Sequence, residues 1–101
     1  MESKFRVILL RDIEAFISSL SSDDQDKISG AVEMLRNKRF DSVYIKQLRG
    51  DIKELKVKKF RLIFFIHKGT VYFLRIFIKK TNKTPKNEID IAEKNYKLIT
   101  S

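Results

Sequence analysis

The sequence predicts an α+β domain in which helices cover a small, mostly antiparallel sheet. Three observations carry this. Apolar residues recur at about 3.6-residue spacing from Ile13 to Leu35, alternate with period 2 from Asp51 onward, and return to helical spacing after Pro85. A length of 101 residues holds one domain, here taken as residues 1–101. A 43% hydrophobic content is enough to form one core.

Each element has its own signal. Phe5 to Leu10 is a continuous apolar run rich in β-formers, and it predicts a short strand. Ile13, Phe16, Ile17 and Leu20 form the stripe of an amphipathic helix. A break at SSDDQ follows, where Ser22 and Gln25 have capping-box spacing and Asp23 and Asp24 suit the positive end of a helix dipole. Ile28, Ala31, Val32 and Leu35 then give a second helix, which fades at Asn37 to Arg39 and should fold back on the first as a hairpin. Leu55 and Val57 alternate with Glu54, Lys56 and Lys58 in a strand, followed by strands Phe60–Ile66 and Val71–Lys80. Thr84 as N-cap and Pro85 at the first helical position open a last helix, striped by Ile89, Ala92, Tyr96 and Ile99. The predicted order is β-α-α-β-β-β-α.

Register decides which side chains share a face. A three-residue loop, His67-Lys68-Gly69, pairs Ile66 with Thr70, Leu62 with Leu74 and Phe64 with Tyr72. It leaves Phe60, Leu62, Phe64, Tyr72, Leu74, Ile76 and Ile78 on an apolar face. Arg61, Ile63, Phe65, Phe73, Arg75, Phe77 and Lys79 fall on the other, with Arg61 opposite Arg75. A two-residue loop would reverse the parity and drive Arg75 into the core.

Composition excludes several chemistries. There are no cysteines and a single histidine, His67, so disulfides, thiolate nucleophiles and His-based metal clusters are excluded. No cofactor is expected. Short apolar runs and a charged start predict neither a membrane span nor a signal peptide, and a cytoplasmic protein fits. A lone loop histidine without G-x-S-x-G argues against a Ser-His triad, and three scattered glycines argue against a phosphate-cradling loop.

Charge is more informative. Residues 1–50 carry a net +1 and residues 51–101 a net +8, within a total of +9. The window 53–86 holds eleven Lys or Arg and one acid, Glu54. Such asymmetry suggests a polyanion partner, nucleic acid first, or a basic solvated surface. Lys56, Arg61, Arg75 and Lys79 can converge on one sheet face, Lys80 and Lys83 lead out of it, and Phe73 and Phe77 are placed to stack on bases. Arginine can grip a phosphodiester in bidentate fashion and stabilise charge on its oxygens. Lysines crowded among cations can act as general acid or base, and Glu54 can act as base or orient a cation. A cross-strand Arg61–Glu54 pair, with the aromatics under a helix or partner, is the structural alternative.

The run Lys46-Gln47-Leu48-Arg49-Gly50, then Glu54-Leu55-Lys56, Phe60-Arg61-Leu62-Ile63-Phe64-Phe65, Phe77-Ile78-Lys79-Lys80-Thr81, Lys83-Thr84-Pro85 and Glu88 to Ala92, resembles the RelE/HigB-type toxins. It is especially similar to their HigB-like, phage-related branch. The resemblance covers residues 46–96. It implies a type II toxin that cuts mRNA in the ribosomal A site, using the RNA 2′-hydroxyl and no metal. Its implied partners are the ribosome, mRNA and a cognate antitoxin, commonly of helix-turn-helix type. By the same resemblance Arg61 matches the phosphate-binding arginine, Lys56 a basic residue, Lys79 and Lys80 a lysine pair, and Tyr96 a C-terminal aromatic. Phe60 replaces a common tyrosine, Arg75 stands where relatives often carry an apolar residue or histidine, and the C-terminal histidines of some members have no counterpart. The expected function is therefore a ribosome-dependent mRNA endoribonuclease. The alternatives are a ParE-like gyrase inhibitor and a basic RNA-binding module without catalysis.

Overall fold

Residues 3–101 are described by a computed structural model. Strand β1 (Arg6–Leu9) runs into helices α1 (Arg11–Ser18) and α2 (Ser22–Arg36). A 3-10 turn at Phe40–Ser42 leads to four antiparallel strands, β2 (Tyr44–Arg49), β3 (Ile52–Val57), β4 (Phe60–His67) and β5 (Thr70–Ile78), and then to helix α3 (Lys86–Thr100). The sheet order is β1-β5-β4-β3-β2, with β1 parallel to β5 and the rest antiparallel. The predicted α+β class and mostly antiparallel sheet stand. The order gains a strand, β2, whose sequence YIKQLR carries only two apolar residues and a bulge at Leu48, so its period was hidden. None of the helices is long and apolar enough to cross a membrane, among the described residues.

Burial explains the topology. The central strand β4 reads FRLIFFIH, and Phe60 and Leu62 to Phe65 are buried on its two faces, as a continuous apolar run requires. On one face Leu55, Phe60, Leu62, Phe64, Val71, Phe73 and Ile76 pack with Ile13, Ile28 and Leu35 of the helical hairpin. On the other Ile52, Ile63, Phe65, Leu74 and Phe77 pack with Ala92 of α3. The sheet is thus a middle layer between the hairpin and α3.

The β4–β5 register corrects the sequence expectation. The loop has two residues, Lys68 and Gly69, both left-handed with φ of 48° and 78°, and His67 pairs with Thr70. That is the backbone a two-residue hairpin of primed type needs. Arg75 nevertheless stays out of the core, because a bulge at Leu74 restores parity beyond it. Phe64 pairs with Phe73 but Ile63 pairs with Arg75, so Leu74 and Arg75 both turn toward α3. Arg61 faces Phe77 and not Arg75, and the predicted like-charge pair does not form. The bulge is fastened on both sides. Asn95 donates to the Leu74 carbonyl at 3.2 Å, and Arg75 grips Glu88 through two bonds of 2.7 and 3.1 Å.

Two caps also differ. Ser21, not Ser22, caps α2, accepting from the Asp24 N–H at 3.2 Å, and Gln25 turns back to the Leu20 carbonyl. Pro85 takes the N-cap position of α3, so Thr84 does not cap the helix.

Lys58, in the β3–β4 turn at φ 55°, clamps the start of α2 through Asp23 at 3.1 Å and Asp24 at 3.0 Å. The hydrogen bond to Lys58 holds the Asp24 carboxyl below its usual value, and the bonds to Asp24 and Asp23 raise the Lys58 ammonium. A depressed carboxyl stabilises the fold above its unfolded pKa, and a raised ammonium stabilises it below its own. Lys58→Met keeps the left-handed backbone and removes the charge. Urea denaturation across pH should therefore give a stability gap between wild type and variant that is flat from mid-acid to alkaline pH. The gap should close as pH falls through the Asp24 range or rises through that of Lys58, and a pH-independent gap would assign the loss to packing alone.

The Arg75–Glu88 pair is a second joint. Arg75 keeps 31% of its side chain in solvent and Glu88 10%, so the pair is only partly desolvated. Hydrogen bonds to Glu88 raise the guanidinium further above its usual range. Breaking a sealed pair costs several kcal/mol; here Arg75→Met should lose about 2 kcal/mol of stability. Denaturant midpoints measure it. A variant within about 0.5 kcal/mol of wild type would show the bulge to be self-supporting.

Candidate nucleic-acid interface

Strand alternation gathers the candidate residues on the α3 side of the sheet. In one row Tyr44 pairs with Lys56, Lys56 with Arg61, and Arg61 with Phe77. The next row is Lys46, Glu54, Ile63 and Arg75. Residues two apart on a strand share a face, so all eight look the same way. Helix α3 covers the end with Ile52, Phe65 and Leu74. Toward the other end Tyr44, Lys46 and Lys56 are exposed and Arg61 is half-buried. The Lys79 N–H donates to the Lys59 carbonyl at 2.9 Å, which carries the pairing one step past β5 and sets Lys79, two after Phe77, on this face.

Arg61 is fixed from behind. One guanidinium nitrogen donates to the carbonyls of Lys58 and Phe60, both at 2.9 Å, which leaves its other N–H groups available to an anion. Glu54 lies below the surface at 3% exposure, and its Oε1 accepts a 2.6 Å bond from the Thr84 hydroxyl. Among the described residues no sealed side-chain oxygen lacks a partner, so the other oxygen of Glu54, which has none, touches solvent. The alternative of an Arg61–Glu54 ion pair is not realised.

Neutralisation is uneven. Of the cations in the 53–86 window, Lys58, Arg75 and Lys86 have carboxylates within 4.0 Å. Among the described residues Lys56, Arg61, Lys79, Lys80 and Lys83 have none, nor does Lys46. The acids sit at the hairpin turn and on α3, and the open face keeps its charge.

Several sequence-predicted residues fall elsewhere. Phe73 is fully buried against the hairpin and Phe77 is 8% exposed under α3, so neither can stack on a base. Arg75 is bound to Glu88, with Asp12 at 3.9 Å, and serves the fold. Tyr96 packs edge-on against Phe65 at 4.6 Å and donates to Asp51 at 3.2 Å; burial, then that bond, raises its hydroxyl pKa. Asp51 precedes Lys56 by five residues, roughly 16 Å along the strand, which sets Tyr96 apart from the Lys56–Arg61 row. Lys80 and Lys83 are exposed on the loop joining β5 to α3, where the Lys83 carbonyl accepts from Thr81. The face adds residues that pattern reading missed. Tyr44 is 77% exposed with the Lys56 ammonium 5.8 Å from its ring centroid, and Lys46 stands opposite Glu54. Both lie on a strand with a weak period, whereas the place of Thr84 before proline signals a helix cap and its hydroxyl goes to Glu54 instead.

The chain resembles proteins of two kinds. No curated protein matches it. Residues 15–97 match the family described as Phage derived protein Gp49-like. Among solved structures, it is similar to the RelB-RelE antitoxin-toxin complex of Methanococcus jannaschii, at a TM-score of 0.59 and 13% identity, over 70% of this chain and 88% of that one. It is also similar to the archaeal RelE-RelB complex of Pyrococcus horikoshii OT3, at 0.60 and 15%, over 74% of this chain and 94% of that one. At these identities the structures establish a shared fold, a mostly antiparallel sheet with a helical hairpin and a C-terminal helix. With most of its length matched to that family model, the chain belongs to the Gp49-like phage-derived family.

Proposed function

We propose that this chain is the toxin of a type II toxin–antitoxin pair and acts as a ribosome-dependent mRNA endoribonuclease, as its HigB-like resemblance implies. The observation that carries the reading is the row Lys56–Arg61, with Lys46 and Lys79 beside it, left without carboxylate partners around one buried acid, Glu54. An exposed, unneutralised face of this kind binds a polyanion, and a fixed guanidinium in its middle suits a phosphodiester. Arg61 holds the scissile phosphate and Lys56 shares its charge. The free oxygen of Glu54 takes the proton of the 2′-hydroxyl, whose oxygen attacks the adjacent phosphorus. The bond to the 5′-oxygen breaks, and the Lys79 or Lys80 ammonium gives that oxygen a proton. The products are a 2′,3′-cyclic phosphate and a 5′-hydroxyl. Tyr44 replaces Phe73 and Phe77 as the surface for base stacking. Lys80 and Lys83 extend the RNA contact along the loop.

The implied partners are the ribosome with its mRNA, in the cytoplasm, and a cognate antitoxin. The two structural relatives were solved with their antitoxins, which supports the last of these. The antitoxin is expected to be of helix-turn-helix type.

Arg61→Ala tests the reading. Arg61 projects from the open face, so its loss leaves no core cavity. Cleavage of A-site mRNA should fall about 100- to 1,000-fold, the usual effect of removing one transition-state donor. Expression of the wild-type chain should stop protein synthesis first in pulse labelling. Cleavage by Arg61→Ala at the wild-type rate would remove this residue from the mechanism. Loss of DNA synthesis before protein synthesis would favour gyrase inhibition.

A further inference from the structure

The loop that carries the lysine pair meets the open face through one hydroxyl. Thr84 donates its Oγ1 proton to Glu54 Oε1 at 2.6 Å, across thirty residues of sequence. Nothing local demands this bond. A threonine ahead of a helix ordinarily caps it, yet α3 starts without a side-chain cap, with Pro85 at the N-cap position. Local rules broken in this way mark positions where the chain satisfies another constraint.

Glu54 supplies that constraint. Its 3% exposure withdraws the carboxylate from water, and Lys46 across the strand does not come within 4.0 Å. The one bond it accepts engages Oε1, so the hydroxyl fixes the rotation of the carboxylate and leaves Oε2 without a partner. We infer that Thr84 is a positioning residue, which orients Glu54 toward the scissile nucleotide. The inference rests on the nuclease reading above.

Single-turnover cleavage of a short mRNA in the A site of purified ribosomes tests it, with Thr84→Val, Thr84→Ser, and Thr84→Val made in a Glu54→Gln chain. Valine keeps the shape and removes the donor; serine keeps the donor. Thr84→Val should cut about 10- to 100-fold more slowly, as displacement of a reacting group by about 1 Å does, with half-saturation changed less than about twofold. Thr84→Ser should restore the rate to within about threefold, and Thr84→Val should add nothing to Glu54→Gln. Thermal midpoints confirm that each variant is folded, and Thr84→Ala replaces the valine variant if that one is not. A Thr84→Val chain at the wild-type rate overturns the inference. So does a loss that serine fails to restore or that persists on Glu54→Gln. A wild-type chain that leaves the mRNA whole overturns the nuclease reading itself, and the inference with it.

Discussion

The geometry of the open face depends on the bulge at Leu74. Up to that residue β5 follows the register of its two-residue loop, with Phe73 toward the hairpin and Leu74 toward α3. Without the extra residue the alternation would continue, and Phe77 and Lys79 would point to the hairpin side. The bulge resets the phase, puts Phe77 under α3 and carries Lys79 into line with Lys56 and Arg61. Bulges bend strands and re-aim side chains at the edges of sites, and this one does both. Its stabilisers come from α3, through Asn95 and Glu88, so the helix supports the register of the strand it covers.

Charge is distributed by the same logic. The fold uses its acids at joints: Asp23 and Asp24 hold the β3–β4 turn to α2, Asp90 and Glu93 hold Arg49, and Glu88 holds Arg75. Each joint removes a cation from the free population on the flanks. Four cations left without carboxylates, Lys46, Lys56, Arg61 and Lys79, lie together on the sheet face beyond α3 around a buried carboxylate. A net charge of +9 therefore has a direction as well as a magnitude.

Most of the architecture could be read from apolar spacing, because α1, α2, β3, β4 and α3 each bury a regular stripe or run. The exceptions have physical causes. Strand β2 is an edge with little to bury, so its pattern is weak. The cost of burying Arg75 calls for an odd loop or for a bulge, and the strand takes the bulge. Lys68 in a left-handed turn gave no signal, since lysine has no preference for that conformation. Spacing along the strands places Lys56, Arg61, Arg75 and Lys79 on one sheet face with Glu54 near them in sequence, and in the fold all five look the same way. Phe73 lies beside the bulge, where an error of one residue exchanges the two faces, whereas Phe77 and Arg75 lie on the expected face and are occupied by α3 and Glu88. Tyr44 and Thr84 come from an edge strand and a loop, where tertiary contact decides the role of a side chain.

The open face is also discontinuous along the chain. Tyr44, Lys46, Glu54, Lys56 and Arg61 come from the middle of the sequence, while Lys79 and Thr84 come from its last quarter. The strand that closes the far edge, β1, pairs with β5 in parallel, Arg6 meeting Thr70. Contacts between such distant segments form late, since the intervening chain must be ordered first. Assembly of the cationic face is thus coupled to completion of the domain, and a partly made chain lacks the hydroxyl, the lysine loop and the helix that hold the face in register.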